Sequence, residues 1–373
     1  MKRKNRLISF VITIILTSTF TGCFSYSDIN KVTFPTSIML DIDDEGNNII
    51  YLDCVKPYRS TNDSSDKGRR VVYEGRGITP FQTLNSINSV SSNKLDYSQV
   101  KAYIFTEKAA KKGIDGFLDL INNSYEFPVS STAFVYYGDV KELIETVSSE
   151  EEYLGLYLQD LANRYRGDAR TIRSNINDYL NNTLIGSKTL MLASIRLKED
   201  PLEKKIELSG GSIFNKDILV EQIEPKDSLT YNILTEPVNT GTLEIENPNS
   251  KGDFITLQIV YSNVKTDINY NEEKLELIKD IDIEVSLVEA QGKLTVNQET
   301  IEYIEETKGE FMNELCKEVF NKYKEKGLDI FNVQELVNQK YPEKRIDNIL
   351  EKTEIKVNTN IILRGVGLAK DSL

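Results

Sequence analysis

At 373 residues, with 39% hydrophobic and 28% charged positions, the chain is long enough for two or three domains and has the make-up of a globular protein. A formal charge of −13 makes it a poor ligand for nucleic acid and sets it against anionic lipid. Histidine is absent, which removes the usual base near neutral pH, the commonest metal ligand, and every Ser-His-Asp or Cys-His mechanism; tryptophan is absent too, leaving stacking to 19 Tyr and 14 Phe.

The chain opens with Lys2, Arg3, Lys4 and Arg6, followed by an apolar run over 7–20. Fourteen residues are too few to cross a ~30 Å hydrocarbon core comfortably, but they suit the apolar region of a secretory signal. Phe20-Thr21-Gly22-Cys23 then resembles a bacterial lipobox, with Phe20 where leucine is preferred. The resemblance implies a lipoprotein signal peptide over 1–22, cleavage after Gly22, and diacylglycerol on the Cys23 thiol, with palmitate as the typical acyl chain. Two acyl chains hold a protein on a membrane where one does so only marginally. The alternative is an uncleaved anchor with an incidental cysteine; both put the body outside the cytoplasm, on a membrane. Loss of the four leader positives takes the charge from −13 to −17. Residues 23–31 form a lipid-anchored tether whose last eight residues reach at most about 25 Å.

Residues 37–43 and 49–55 read as strands around the acidic turn Asp44-Glu45-Gly46-Asn47. Residues 59–69 are polar and loop-like, and 71–73 form a short strand. Thr79 followed by Pro80 predicts a helix start with proline at its first position, the helix running to about Val90. A strand over 99–105, a helix over 107–122 interrupted at Gly113, a strand over 131–137 and a helix over 139–147 follow. The helical signal continues from 150 to about 180, with Tyr153, Leu154, Tyr157, Leu158 and Leu161 on one face. A strand over 189–197 leads to a break at Asp200-Pro201. This alternation predicts an N-terminal α/β region over 32–200, with a further division near 140–150 left open.

The remainder, 206–373, reads as a C-terminal α+β domain. Its strands lie at 206–214, 218–221, 242–245, 254–265 and 281–289. A long amphipathic helix over 300–326 carries Ile304, Phe311, Leu315 and Val319 on its apolar face. A second helix, 333–340, stops before Pro342, and an alternating strand over 354–363 closes the chain. No repeat is visible. The predicted fold class is α+β: a multi-domain mixed α/β chain whose strand-rich second half packs against long helices.

Few motifs point to chemistry. "DIDDEGN" at 41–47 has EF-hand-like spacing, but the position of the bidentate acid is Leu52 and the flanks are strands, so it reads as a solvated turn. "GRG" at 75–77 lacks the third glycine and the Lys-Ser/Thr pair of a phosphate loop, and reads as a tight turn with close backbone packing. "SGGS" at 209–212 lacks the pattern of a nucleophile elbow. Cys54 and Cys316, outside any CxxC spacing, read as buried thiols with a long-range disulfide left open. No metal site, catalytic residue or ligand-binding residue stands out.

Taken in order, these segments resemble the Ger(x)C family, the lipoprotein C subunits of bacterial spore germinant receptors. The lipobox cysteine is followed by "FSYSDIN" at 24–30. "EGRGITPFQTLNSIN" at 74–88, "KLDYSQVKAYIFTEKAAKKGI" at 94–114 and "VYYGDVKELIE" at 135–145 match family segments in sequence order. So do "KGLDIFNVQELVNQKYP" at 326–342 and "TEIKVNTNIILRGVG" at 353–367. Phe127 stands where the family often has arginine, and Ile346 and Ile349 lie where it has a tryptophan-containing stretch. The resemblance implies a non-enzymatic subunit without cofactor beyond its lipid. It would be anchored on the outer face of the spore inner membrane and assembled with an integral-membrane A subunit and a transporter-like B subunit. The competing readings are a solute-binding lipoprotein of a membrane importer, which predicts two similar lobes, and an envelope hydrolase using carboxylates.

Overall fold

The run Val32–Ile42 carries apolar side chains on both faces and is buried almost throughout, the signature of a strand covered from two sides. In the computed structural model, which describes residues 29–57, 68–146, 151–164, 172, 175–184, 189–199, 201, 204–271 and 273–365, it lies inside a nine-stranded sheet. The strands are β1 (Val32–Ile42), β2 (Asn48–Lys56), β3 (Arg69–Gly77), β4 (Lys94–Leu95), β5 (Ala102–Thr106), β6 (Thr132–Tyr136), β7 (Thr189–Lys198), β8 (Lys205–Asn215) and β9 (Ile218–Ile223). Their order is β3-β2-β1-β5-β6-β7-β8-β9, with β4 beside the start of β1. The central four, β1, β5, β6 and β7, are parallel; hairpin strands add antiparallel at either side.

Helices cover both faces. On one lie α1 (Pro80–Val90), α2 (Glu107–Lys112) and α3 (Asp115–Asn122), packed on alternating residues such as Ile38, Leu40 and Phe105. On the other lie α4 (Val140–Glu145) and α5 (Leu154–Arg164), packed on Met39, Ile104 and Phe134. Helix α6 (Ile176–Leu184) returns to the first face through Ile176 and Tyr179. The continuous helical signal over 150–180 is therefore corrected to two helices: Asn175, just before α6, bridges to Thr132 of β6.

Three elements extend or add to the sequence reading. Strand β3 begins at Arg69 and not at Val71, because its outward Arg69, Glu74 and Arg76 mask a half-exposed strand. Helix α7 (Pro225–Thr235) was not anticipated: it buries Ser228, Thr230 and Asn232, so it has no apolar stripe to read. Strands β8 and β9, read as the start of the second half, finish the first sheet, β8 pairing with β7 and β9 with β8.

The second sheet contains β10 (Thr242–Glu246), β11 (Phe254–Tyr270), β12 (Leu275–Ala290) and β13 (Thr353–Gly365), in that order. Strand β12 starts six residues before the expected Ile281, because a buried lysine, Lys279, interrupts its apolar alternation. Its partner β13 runs parallel, so the chain must cross over; α8 (Gln298–Glu325), α9 (Val333–Lys340) and α10 (Ile349–Lys352) make that connection. Helix α8 lays Ile304, Met312, Cys316, Val319 and Phe320 on the sheet. The same apolar cluster includes Ile233 and Leu234 of α7 and Ile213 and Ile223 of β8 and β9, so the two sheets share a core.

Candidate functional site

The residues that sequence reasoning selected, Gly22 and Cys23, lie outside the described residues. The described chain starts with a 3-10 turn, Ile29–Lys31, which enters β1 directly. Ile29 is exposed and lies six positions after Cys23. The tether therefore meets the body at the N-terminal ends of the parallel strands.

Each motif weighed in the sequence has a local use. In the acidic turn, Asp43 Oδ1 accepts from the Glu45 and Asn47 backbone N–H groups at 3.0 and 2.8 Å, and Oδ2 accepts from the Asn47 side chain. These bonds, led by the Asn47 side chain, hold the Asp43 carboxyl below its ordinary range. Asp41 accepts from Thr106 Oγ1, and Asp44 pairs with Lys108. The acids thus diverge onto separate partners. At Gly75, a Cβ would stand 2.5 Å from Ile87 Cγ1 and 2.7 Å from the Thr83 carbonyl; at Gly77 it would press on Thr83 as well. The glycines let α1 lie flat against β3. Thr79 caps α1 by accepting from the Gln82 N–H, and Phe81 in its first turn projects outward, 65% exposed. Gly210 adopts φ +75°, and a Cβ there would overlap the Ile223 carbonyl. Beside it, Ser212 Oγ bonds Ser194 Oγ at 2.8 Å and Tyr137 OH at 2.9 Å. This hydroxyl chain joins β7, β8 and the end of β6, with no base to activate a nucleophile.

The thiols are chemically quiet. Cys54 and Cys316 are free and fully buried in different apolar clusters, which closes the disulfide alternative. Burial drives the Cys54 thiol far above its ordinary value and pushes Cys316 up to about 12. Two lysines shift the opposite way. Lys279 donates to the Leu234 carbonyl at 2.7 Å and to Thr266 Oγ1 at 2.8 Å; Lys308 donates to the Glu244 carbonyl at 2.7 Å and lies over the Phe311 ring. Burial lowers both to about 8. Each fixes a strand or helix through carbonyl groups.

Where the two sheets meet, a polar network joins α7, α8 and β9. Asp227, buried on α7, accepts from Lys322 Nζ at 2.6 Å and from Tyr323 OH at 3.3 Å. Lys322 also pairs with Glu224, and Lys326 at the end of α8 pairs with Glu221 of β9. Burial, with Asp227 alongside, holds the Tyr323 phenol above its ordinary value. Sequence reasoning missed this set because its members lie 95 or more residues apart. Nearby, a cavity of about 720 Å³ opens between the halves, lined by side chains such as Thr132, Asn182, Tyr231 and Asn332. Among the described residues no helix is long and apolar enough to cross a membrane, and no group of His, Cys, Asp and Glu is arranged to hold a metal.

The outer edge of β13 is closed by α8. Asn313 Oδ1 accepts from the Thr359 N–H and Glu305 Oε1 from the Leu363 N–H, both at 2.8 Å, while Lys324 donates to the Thr353 carbonyl. Gly309 lets the helix approach: a Cβ there would stand 3.1 Å from the Thr359 carbonyl. The face of the sheet away from α8 is a polar ladder, with Asn358 on Asp280, Asn360 on Asp282 and Arg364 on Glu284.

Comparison with known proteins gives one consistent result. Residues 25–197 match the model of a spore germination protein N-terminal domain, and residues 209–367 match that of a spore germination B3/GerAC-like C-terminal domain. The chain is 22% identical over 273 residues to the spore germination protein GerQC of Bacillus cereus, covering 72% of this chain and 74% of that one. The crystal structure of the GerBC protein superposes with a TM-score of 0.57 at 12% identity, over 88% of this chain and 96% of that one, which establishes the shared fold.

Proposed function

Because the chain belongs to the Ger(x)C family of spore germination proteins, the C subunits of germinant receptors, we propose that it is the lipoprotein subunit of a nutrient germinant receptor. Diacylglycerol on Cys23, exposed by cleavage after Gly22, holds it on the extracytoplasmic face of the spore inner membrane. There it assembles with the integral-membrane A and B subunits and does no chemistry of its own. The observation that carries this reading is that two successive family domains account for nearly the whole chain after the leader. The geometry is in keeping with it. Both described thiols are buried, the acids of the Asp41–Asn47 turn are engaged in holding it, and the two sheets are locked through one core. A body of that kind suits mechanical coupling between partners, and a short tether raises its effective concentration beside them.

The importer reading predicts two similar lobes. The two halves differ, one a nine-stranded sheet covered on both faces and the other a four-stranded sheet covered on one.

The test is Cys23→Ala. The variant is expected to leave the membrane fraction and to abolish nutrient-triggered germination, while mass spectrometry of the native protein shows the lipid on Cys23. A variant that stays anchored and supports germination overturns the proposal.

A further inference from the structure

The end of the first sheet that the tether enters differs from the opposite end. Strand register sets Lys56 at the end of β2 opposite Arg69 at the start of β3. Two strands away, Lys94 of β4 pairs with Val32, the residue after Lys31. Lys56 Nζ reaches Ser92 Oγ, which ties the row together. With neighbouring strands about 5 Å apart, these four cations fall within about 15 Å of one another. Lys31, Arg69 and Lys94 are exposed and Lys56 half-exposed. Among the described residues none of the four forms an ion pair closer than 4.0 Å. Apolar side chains project beside them: Ile29 at 59%, Val90 at the end of α1 at 69%, and the fully exposed Tyr125. The acids at this end include Asp96, which caps the Ser98 N–H near Lys94; Glu126; Glu145 at the end of α4, whose neighbour Ile144 accepts from Arg70; and Glu151 and Glu152 ahead of α5. The acidic turn Asp41–Asn47 lies at the other end of β1, about 30 Å away.

We propose that this end of the sheet is a docking face for anionic lipid headgroups, with Lys31, Lys56, Arg69 and Lys94 meeting phosphate and Ile29, Val90 and Tyr125 meeting the interfacial layer. The inference rests on the Cys23 anchor, which leaves only six positions, at most about 20 Å of chain, between bilayer and body. The net charge, −17 once the leader is lost, does not oppose it. Surface potential decays over about 8 Å at physiological salt, so the leading row is attracted while the distant acids are screened. A lysine or arginine near anionic lipid contributes a factor of about five in affinity, and an exposed tyrosine is favoured at the headgroup level. The acidic turn would then face away from the membrane, which fixes the orientation as well as the distance.

The experiment separates this proposal from the anchor. The chain from residue 24, which contains every described element, carries a hexahistidine in place of its leader and is held on nickel-chelating vesicles of phosphatidylcholine, with or without phosphatidylglycerol. Amine acetylation is followed by mass spectrometry. Lys31, Lys56 and Lys94 are expected to react several-fold more slowly on the phosphatidylglycerol vesicles, Lys111 and Lys112 at the far end equally on both. High salt should remove the protection, as should the double change Lys56→Glu and Lys94→Glu. Equal rates on the two lipids overturn the proposal, and so does protection that persists without anionic lipid. Protection that appears only when the membrane subunits are present assigns the face to a protein partner and overturns it too. An unmodified Cys23 in the native protein defeats the anchor and leaves this readout intact.

Discussion

Lys279 and Lys308 are the residues that solvent would most readily take back. Both ammonium groups are buried against backbone carbonyls, and burial lowers them to about 8. In the unfolded chain they return to about 10.4. Between about pH 8 and 10 each lysine therefore binds more proton in the unfolded state, and its own contribution to stability rises with pH across that window. The gain is on the order of 1 kcal/mol for each lysine. The buried thiols Cys54 and Cys316, raised from about 8.5, act in the opposite sense within the same window, and buried tyrosines such as Tyr103 do so only at higher pH. A denaturation midpoint measured from pH 8 to 9.5 should fall more steeply in the Lys279→Met, Lys308→Met double variant than in the native chain, where the two lysines offset the two thiols. Neither lysine was legible as buried, since a charged residue in an alternating strand, as Lys279, or on an amphipathic helix, as Lys308, reads as part of the outer face. Glycines were more readable: Gly75 and Gly77 were expected at a close approach, and the packing of Thr83 and Ile87 against them explains it. Gly155 carried no such signal, yet a Cβ there would overlap the Thr36 carbonyl of β1, a contact between elements more than a hundred residues apart. Phe127, where the family often has arginine, stacks on Tyr97 with ring centroids 4.7 Å apart and is buried. The family difference at that position is one of packing.

At the scale of elements, the regular ones were visible and the mixed ones were not. Strand β1, helix α1 with its Thr79-Pro80 start, and α8 follow plain periodicities. Helix α7 hides because it is polar and buried at once, and β12 because Lys279 breaks its alternation. The most consequential arrangement is the closed edge of β13. An exposed strand edge invites pairing with another chain, and α8 occupies this one with the side chains of Glu305 and Asn313. Asn313→Ala and Glu305→Ala should each cost about 1–2 kcal/mol by leaving a strand N–H without its acceptor. The double variant should also self-associate on size-exclusion chromatography, at concentrations where the native chain does not.

At the scale of the molecule, the two halves matched by separate family models are mechanically one. Asp227, Lys322 and Tyr323 bind α7 to α8, and the cluster around Ile213, Ile223 and Leu234 continues beneath both sheets. Thermal unfolding should therefore give a single transition by probes in either half. Asp227→Ala should lower that common midpoint by an amount equivalent to about 2 kcal/mol, less than a fully buried pair would lose because Lys322 is partly exposed. Family and fold class were readable from motif order and from the strand–helix alternation. The seam between the halves was not, since it is built from residues that come together only after both sheets exist.

The parallel pairing of β12 with β13 sets the timetable of biogenesis. Strand β12 ends at Ala290 and its neighbour begins at Thr353. A chain made amino-terminus first therefore waits with a long strand half-paired until Thr353–Gly365 has been synthesised. Completion belongs to the end of synthesis, and a nonsense codon just before Thr353 would yield a polypeptide with an open, adhesive flank along Leu275–Ala290.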